Sequence, residues 1–528
     1  MKTKSIIWSS ISSSLFITLL LSVTYAQVPV PPPPLSSQNA RGIVYWDKNN
    51  NGLFDKAEPR IKNVAVSNGK EIVLTDKAGR YNIPATDDCV VFVIKPAFWK
   101  SPADKDNFPR FYYINKPKGS SPDLKYKGIL PTGPLPKEIN FALYPNQEGN
   151  KDKMLLLGDI QPMYLKQIEY FGKSFIPELQ SSDAAFICTL GDNVDEYLDL
   201  YPPLKDTLSL AGKPVFFLPG NNDLDFDVPQ DKDSNETYKS FFGPSYYSFN
   251  WGQWHLLMLD DVNYKGAGKG YGPGLGKTQM DFILNDLKML PSSQKLILMM
   301  HIPIKDLPKE EKEILFNELS RFHNIFSVAG HYHSQENLFL GKEDGWKGEK
   351  PLHLLIQGTA CGCTWNGLPD EFGIPHASMY DGTPKGYSIV ELFDGYQVFY
   401  KIPNRPADYQ MNIYAPVSVS APELATTDIK VNVFTGSDRT KVEMRIDGQN
   451  LSVPMEKTLG QDSEFIKQWQ FEQKLAPQYF DRNGWFPNCT HLWKATLPAN
   501  LSPGSHLIEI LTSENNIHHS AKTVFWVK

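Results

Sequence analysis

The alternation of hydrophobic and polar positions changes character twice along the chain, and it predicts three domains in a row. In residues 41–145, short apolar runs alternate with turn residues, and Asn68-Gly69 separates two of these runs as a hairpin turn. In residues 153–401, strand-length apolar runs alternate with segments of helical period. In residues 410–528, short strands return. The fold class we predict is therefore α/β, a layered β-sandwich core with flanking helices, between two all-β sandwich domains.

The first 26 residues have the pattern of an export signal. A basic start at residues 1–4 precedes a mostly apolar run at 15–23, and the small residue Ala26 ends the segment. We predict cleavage after Ala26, with an uncleaved anchor as the alternative. The run is too short and too interrupted by serine for a typical membrane span, so we expect a secreted or periplasmic chain without stable membrane insertion. Residues 27–40 are rich in proline and predict an extended spacer.

Composition and charge exclude some classes of function. The 528 residues are 41% hydrophobic, which excludes disorder of the whole chain. Lys and Arg number 53 and Asp and Glu 59, a net charge of −6, and an acidic surface does not favour bulk nucleic-acid binding. The five cysteines are an odd number and cannot all pair, and a chain of this size needs no disulfide framework. The sequence leaves the oligomeric state open.

Five apolar runs of the central region each end in polar side chains that can bind metals. They are followed by Asp159 and Gln161, by Asp192 and Asp195, by Asn221 and Asn222, by His301, and by His331 and His333. Each group alone fits an ordinary turn. Because the carboxyl ends of adjacent strands meet in one crevice, the five groups in succession predict a single site.

This succession resembles the calcineurin-like metallophosphoesterases, whose motifs are Asp-x-His, Gly-Asp, Gly-Asn-His-Asp, a lone His and Gly-His-x-His. The resemblance spans about 153–401, and the flanking domains resemble the N- and C-terminal β domains of an exported bacterial subgroup. It implies two sets of metal ligands that share Asp192. One set is Asp159, Gln161, Asp192 and His333, and the other is Asp192, Asn221, His301 and His331.

The ligand types bear on the metal and on the reaction. Mixed carboxylate, amide and imidazole ligands suit Mn, Fe or Zn. Two such cations are expected to clamp a phosphate-ester substrate, mono- or diester, and to activate a bridging hydroxide for in-line attack.

Two positions depart from the family pattern. Gln161 stands where the family most often has histidine. Asn222 stands where the family has the histidine that protonates the leaving oxygen, which Asp195 would orient, and an amide cannot act as that acid. His376 is a candidate replacement acid, with an ordinary loop histidine as the alternative. Trp365 is a candidate for the same pocket or for the core.

A second metal signature lies in the predicted N-terminal domain. Residues 47–58 place oxygen ligands at loop positions 1, 3, 5, 9 and 12 and glycine at position 6, the register of an EF-hand calcium loop. The five ligands are Asp47, Asn49, Asn51, Asp55 and Glu58. The alternative is an Asn-rich turn held by its own side chains.

Two functions follow. The first is an exported dinuclear-metal phosphoesterase whose ester remains open. The second is a non-catalytic, metal-stabilised binding or adhesion protein. Asn222 favours the second, and the retention of the other ligand types favours the first.

Overall fold

A computed structural model of the chain describes residues 38–448, 452–480 and 484–528. The predicted export signal and most of the predicted spacer lie outside these residues. Among the helices that are described, none has both the length and the apolar character that a bilayer crossing requires.

The N-terminal region forms two four-stranded sheets, ordered β4-β1-β8-β6 and β3-β2-β5-β7. The strands are β1 (Gln38–Trp46), β2 (Ala65–Ser67), β3 (Ile72–Leu74), β4 (Arg80–Ala85), β5 (Cys89–Val93), β6 (Trp99–Lys100), β7 (Tyr112–Asn115) and β8 (Phe141–Pro145). Buried and exposed positions alternate strictly along β4, and Tyr81 and Ile83 share a hydrophobic core with Val66 and Val91 of the other sheet. Alternation of this kind is what a sheet with one buried face requires.

The central region contains a five-stranded sheet, ordered β11-β10-β9-β20-β21, and a six-stranded sheet, ordered β12-β13-β16-β17-β19-β18. The strands are β9 (Asp152–Leu157), β10 (Phe186–Thr189), β11 (Val215–Phe216), β12 (Tyr247–Trp251), β13 (Trp254–Met258), β14 (Val262–Tyr264), β15 (Tyr271–Pro273), β16 (Lys295–Met299), β17 (Asn324–Ala329), β18 (Glu336–Leu340), β19 (Leu352–Ile356), β20 (Tyr387–Leu392) and β21 (Tyr396–Lys401). The helices are α1 (Leu165–Ser181), α2 (Tyr201–Ser209), α3 (Glu236–Phe242), α4 (Gly276–Lys288) and α5 (Lys309–Leu319).

The side chains of β9 show why these elements form layers. Leu155 packs outward in a cluster with Phe171 of α1, whereas Leu156 packs inward in a cluster with Leu256 of the second sheet. Strands that are buried on both faces read as continuous apolar runs, as residues 154–157 do. The predicted fold class, layered sheets with flanking helices and additional β-rich regions, is confirmed.

The C-terminal region forms a four-stranded sheet, ordered β22-β24-β28-β27, and a five-stranded sheet, ordered β23-β30-β29-β25-β26. Its elements are β22 (Met411–Tyr414), β23 (Ser418–Val419), β24 (Asp428–Val433), β25 (Lys441–Ile446), β26 (Val453–Pro454), β27 (Glu456–Gly460), α6 (Ser463–Leu475), β28 (Cys489–Thr496), β29 (Gly504–Glu514) and β30 (Ile517–Val527). Its core is a separate hydrophobic cluster that includes Val431, Trp493 and Ile510.

The N-terminal and central regions share a buried ion pair. Lys95 Nζ lies 2.7 Å from Glu148 Oε1, and both side chains are at most 5% exposed. The second oxygen of Glu148 accepts the backbone N–H groups of Phe98 and Gly252, each at 2.7 Å. Three segments that are distant in sequence therefore meet on one carboxylate.

We expect Glu148→Ala to destabilise the full chain by about 3–5 kcal/mol, because it leaves the Lys95 ammonium buried without its partner. The measurement is the urea unfolding midpoint. Asp183→Ala is the matched control, since Asp183 pairs with Lys153 but is 73% exposed. Solvent screening limits the loss there to less than about 1 kcal/mol. Equal losses of unfolding free energy in the two variants would contradict the stabilising role given to the buried Lys95–Glu148 pair.

Candidate metal centre

The structure brings the seven predicted metal ligands to the carboxyl ends of five strands from both central sheets. Asp159 and Gln161 follow β9, Asp192 follows β10, Asn221 follows β11, His301 follows β16, and His331 and His333 follow β17. All except His331 are less than one-tenth exposed. The centre therefore lies where the ends of the two sheets meet, as expected for ligands at strand ends.

Asp192 is the most connected of these residues. Its Oδ1 lies 3.3 Å from His301 Nε2 and accepts the backbone N–H of Asn222 at 2.8 Å. Its Oδ2 accepts the side-chain amide of Asn222 at 2.8 Å and that of Gln161 at 3.4 Å. Ligand atoms of Asp159, Asp192 and His301 lie within 4.8 Å of one another, the spacing of a group that can hold one metal ion.

The remaining candidates lie around this group. His301 Nε2 is 3.0 Å from Asn221 Oδ1 and 3.2 Å from His331 Nδ1. His333 Nε2 is 3.4 Å from Asp159 Oδ2. The structure thus joins all seven side chains into one set of contacts.

Backbone carbonyls orient two of the imidazoles. His301 Nδ1 lies 2.8 Å from the Leu190 carbonyl oxygen, and His333 Nδ1 lies 2.8 Å from that of Gly362. A nitrogen that donates to a carbonyl leaves the other nitrogen as a free ligand, so Nε2 of each ring is directed to the centre.

The backbone at the centre is held in an unfavourable conformation. Five of the seven ligands have positive φ: Asp159 (21°), Gln161 (44°), Asp192 (45°), His331 (73°) and His333 (51°). Residues other than glycine rarely adopt such angles, and each costs on the order of 1–3 kcal/mol. Strain of this kind persists where the surrounding structure enforces it and clusters at functional sites.

The charges at the centre balance one another. Burial disfavours the charged form of His301, but the adjacent Asp192 carboxylate outweighs it and raises the pKa of His301 to about 10. Burial, with the positive charge on His301, lowers the pKa of His331 to about 4. Burial would raise the pKa of Asp192, yet the contact with His301 lowers it. A cation bound between these groups would take the place of the proton on His301.

The residues present fit a metal centre. Asp159 Oδ2 is buried, and its contact with His333 Nε2, at 3.4 Å, is too long and poorly aligned to count as a hydrogen bond. A buried carboxylate oxygen without a full hydrogen bond is costly, and a bound cation would satisfy it. The donor set of carboxylate, amide and imidazole groups suits Mn, Fe or Zn.

The structure adds supporting residues that sequence reasoning missed. Asp223 accepts the backbone N–H of Gly220 at 2.8 Å and the side-chain amide of Asn193 at 2.9 Å, and it thereby fixes the two ligand-bearing turns against each other. Asp261 accepts the backbone N–H of His301 at 3.0 Å. Asp223 is the last residue of the Gly-Asn-Asn-Asp turn, so the motif could have identified it as a supporting residue. Asp261 lies in no such motif, so local sequence could not have identified it.

Cys361 also adjoins the centre. Its Sγ lies 3.6 Å from Gln161 Oε1 and 3.8 Å from His333 Nδ1. Cys361 and Cys363 are both buried, and one residue separates them. The loop is tight at Gly362, where an added Cβ would lie 1.8 Å from the Ala377 carbonyl oxygen.

Asn222 and Asp195 are both buried beside the ligands. The Asn222 side-chain amide donates to Asp192 Oδ2 at 2.8 Å, and the backbone carbonyl oxygen of Asn222 accepts the backbone N–H of Glu196 at 3.1 Å. The Asp195 backbone N–H donates to the Pro162 carbonyl oxygen at 3.1 Å. The side chain at position 222 therefore holds the carboxylate of Asp192, a candidate metal ligand, in place and offers no acidic proton.

His376 is not directed to this centre, which corrects the idea that it replaces the missing acid. Its Nε2 lies 2.7 Å from Glu472 Oε2, on α6 of the C-terminal region. It lines a cavity of about 460 Å³ that none of the seven ligands lines. The imidazole of His376 therefore pairs with the buried carboxylate of Glu472. The two residues are 96 positions apart in the chain, so local sequence could not reveal this contact.

Trp365 belongs to the core rather than to the centre. Its indole N–H donates to the Ile160 carbonyl oxygen at 2.9 Å, and it packs in the cluster that contains Phe171.

The loop at 47–58 hydrogen-bonds to itself. Asp47 accepts the backbone N–H groups of Asn50 and Gly52 at 2.7 and 2.8 Å. The side-chain amides of Asn49 and Asn51 both reach Asp55 Oδ2, at 2.8 and 3.1 Å. Glu58 accepts the backbone N–H groups of Lys48 and Asp55, at 2.9 and 3.0 Å. Both the calcium loop and the self-held turn fit this arrangement, so calcium binding stays a prediction.

We expect Asp192→Ala to remove both transition metals, because Asp192 contacts ligands of each set. The measurement is elemental analysis of purified, metal-loaded protein. Asp206→Ala is the control, since Asp206 is an exposed carboxylate on α2. Full metal occupancy in Asp192→Ala would show that the ligand assignment is wrong.

For the 47–58 loop, we expect millimolar calcium to raise the melting temperature of the full chain above its value with chelator. A ligand at ~100 times its Kd adds ~2.7 kcal/mol of stability. Asp55→Ala should abolish the shift. If calcium raises the melting temperature of wild type and variant alike, or of neither, the loop is the self-held turn.

Three family models match the chain. The calcineurin-like phosphoesterase model matches residues 153–335, the model for the N terminal of calcineurin-like phosphoesterase matches 48–128, and that for the C terminal matches 355–518. No curated protein matches the sequence.

Two solved structures resemble this chain, both with low sequence identity and a low TM-score. Vacuolar protein sorting 29 from Cryptosporidium parvum is 16% identical with a TM-score of 0.23, over 49% of this chain and 94% of that one. The apo β-glucuronidase 3 of Bacteroides uniformis is 9% identical with a TM-score of 0.21, over 88% of this chain and 59% of that one. At these scores neither structure bears on function. The family models, matched in order along the chain, show that it belongs to the calcineurin-like phosphoesterases that carry both an N-terminal and a C-terminal companion region.

Proposed function

We propose that this protein is an exported phosphoesterase that uses two bound transition-metal ions to hydrolyse a phosphate mono- or diester. The convergence of seven ligand-type side chains, five of them on strained backbone, is the observation that supports it. Such strain is difficult to explain for residues that only fill space. Export rests on the sequence pattern of residues 1–26.

In this proposal, Asp159, Gln161, Asp192 and His333 hold one ion, and Asp192, Asn221, His301 and His331 hold the other. Two ions in such a donor set would polarise the phosphoryl group and lower the pKa of the attacking water. Mn, Fe and Zn are the candidates.

The chain's own groups orient the ligands. The Asn222 amide holds Asp192 Oδ2, and the Leu190 and Gly362 carbonyl oxygens set the rings of His301 and His333. Groups fixed in this way keep the reacting atoms in register, which is a large part of what an active site contributes.

No imidazole stands at position 222, and this limits the leaving group. An alkyl oxygen leaves as a strong base and needs a proton, whereas an aryl oxygen leaves as a weak base. General acid catalysis contributes ~10²–10⁴-fold, so its loss weighs most on alkyl esters. We therefore expect aryl esters to be the better substrates.

A non-catalytic, metal-stabilised binding protein is the second candidate function. Two observations favour it: Asn222 replaces the acid, and His376 is engaged by Glu472 instead. The complete set of ligand types favours the enzyme, because a chain that had lost catalysis would have no reason to keep every ligand.

We expect wild type to cleave 4-nitrophenyl phosphate measurably and an alkyl phosphate poorly. Asn222→His should raise kcat/KM for the alkyl ester more than for the aryl ester, by at most ~10²–10⁴-fold. Adding Asp195→Ala should remove the gain, because Asp195 would orient the new imidazole. Asn222→Ala is the control that removes the amide without supplying an acid.

Metal content is measured alongside, since Asn222 contacts Asp192. If Asn222→His changes neither ester while both metals remain bound, the missing-acid account fails. If metal-loaded wild type cleaves no ester at all, the enzyme proposal fails and the binding protein is favoured.

A further inference from the structure

One aromatic ring separates an exposed tryptophan side chain from a proposed metal ligand. Trp485 is 60% exposed, although it is large and apolar. Its ring meets that of Tyr380 edge-to-face, with centroids 6.0 Å apart. The Tyr380 ring in turn lies 5.9 Å from the imidazole of His333. A continuous row of rings, His333–Tyr380–Trp485, thus runs from the metal centre to the surface.

The C-terminal region holds this row in place. The Tyr380 backbone N–H donates to the His333 carbonyl oxygen at 3.2 Å. The next residue, Asp381, accepts the backbone N–H of Gln335 at 2.8 Å and pairs with His491 Nε2 at 3.0 Å. Asp381 and His491 are buried, so the segment that carries Tyr380 is anchored from both the metal-binding loop and β28. A surface fixed in this way loses little entropy when a ligand covers it.

A second aromatic ring lies beside His331, the other histidine of the Gly-His-x-His motif. Tyr271, on the β14–β15 hairpin, lies 6.2 Å from the imidazole of His331 and is 39% exposed. Both histidines of the Gly-His-x-His motif therefore have an aromatic neighbour.

We propose that Tyr380 and Trp485 form a leaving-group subsite that binds the flat aromatic ring of an aryl phosphate. This rests on the proposed function and names its substrate class. The open indole face of Trp485 favours stacking with a flat apolar group. The same class of ester is the one that needs no acid at position 222, so two independent features of the centre select it.

The reaction at this subsite balances without a further reactant. The oxygen of water bonds to phosphorus, and the bond between phosphorus and the aryl oxygen breaks. The electron pair leaves with the aryl oxide, and the proton lost by the water balances its charge. The products are phosphate and the free phenol, which leaves the Trp485 face.

The test measures kcat and KM of the manganese-loaded full chain for 1-naphthyl phosphate and for ethyl phosphate. Trp485→Ala should raise KM for the naphthyl ester about 10-fold relative to that for the ethyl ester, within the range of single stacking contacts. Trp485→Phe should restore most of the preference. Trp526→Ala is the matched control, a tryptophan 51% exposed on β30, and should keep the wild-type ratio.

If Trp485→Ala leaves the ratio of the two KM values as in wild type, the subsite is contradicted. If wild type turns over neither ester, the proposed function fails, and binding then tests the subsite separately. Calorimetric titrations with 1-naphthyl phosphate and with inorganic phosphate give the ratio of their affinities. We expect Trp485→Ala to lower that ratio about 10-fold, and an unchanged ratio would overturn the subsite.

Discussion

The structure of the centre depends on one buried carboxylate, that of Asp192. It is 2% exposed, and an unpaired charge at such a depth would be prohibitively costly. His301, Gln161 and both nitrogens of Asn222 surround it, and its own φ of 45° shows that the turn after β10 is shaped to present it. The strand ends of both sheets therefore converge on a position that only a cation, or a protonated histidine, can neutralise.

The C-terminal region is joined to this centre rather than merely following it in sequence. His491 of β28 pairs with Asp381, and its other nitrogen lies 2.8 Å from Asn432 of β24. Removing one partner of a buried pair is strongly destabilising, because the other charge is left alone. Since Asp381 also holds Gln335, two residues after His333, the companion region helps to fix the position of a proposed metal ligand. This coupling gives a physical reason for the two regions to stay on one chain.

Local sequence sufficed to predict the strands and to place the candidate ligands after them, because both depend on the residues immediately around them. The apolar run 154–157 is followed by a sharp turn and then Asp159, and β9 indeed ends at Leu157. What local sequence could not supply were partners far apart in the chain. His376 pairs with Glu472, Asp261 holds the backbone of His301, and Trp485 meets Tyr380, each across a long stretch of intervening chain. Such pairs depend on how the regions dock, which no periodicity encodes.

The central claim is that two metal ions share Asp192, and the spacing of the ions tests it most directly. Two Mn²⁺ ions that share a bridging carboxylate lie ~3.5–4 Å apart, close enough for their spins to couple. Electron paramagnetic resonance of the manganese-loaded full chain should therefore show an exchange-coupled pair. A spectrum of isolated Mn²⁺ ions alone, at two ions bound per chain, would contradict the account.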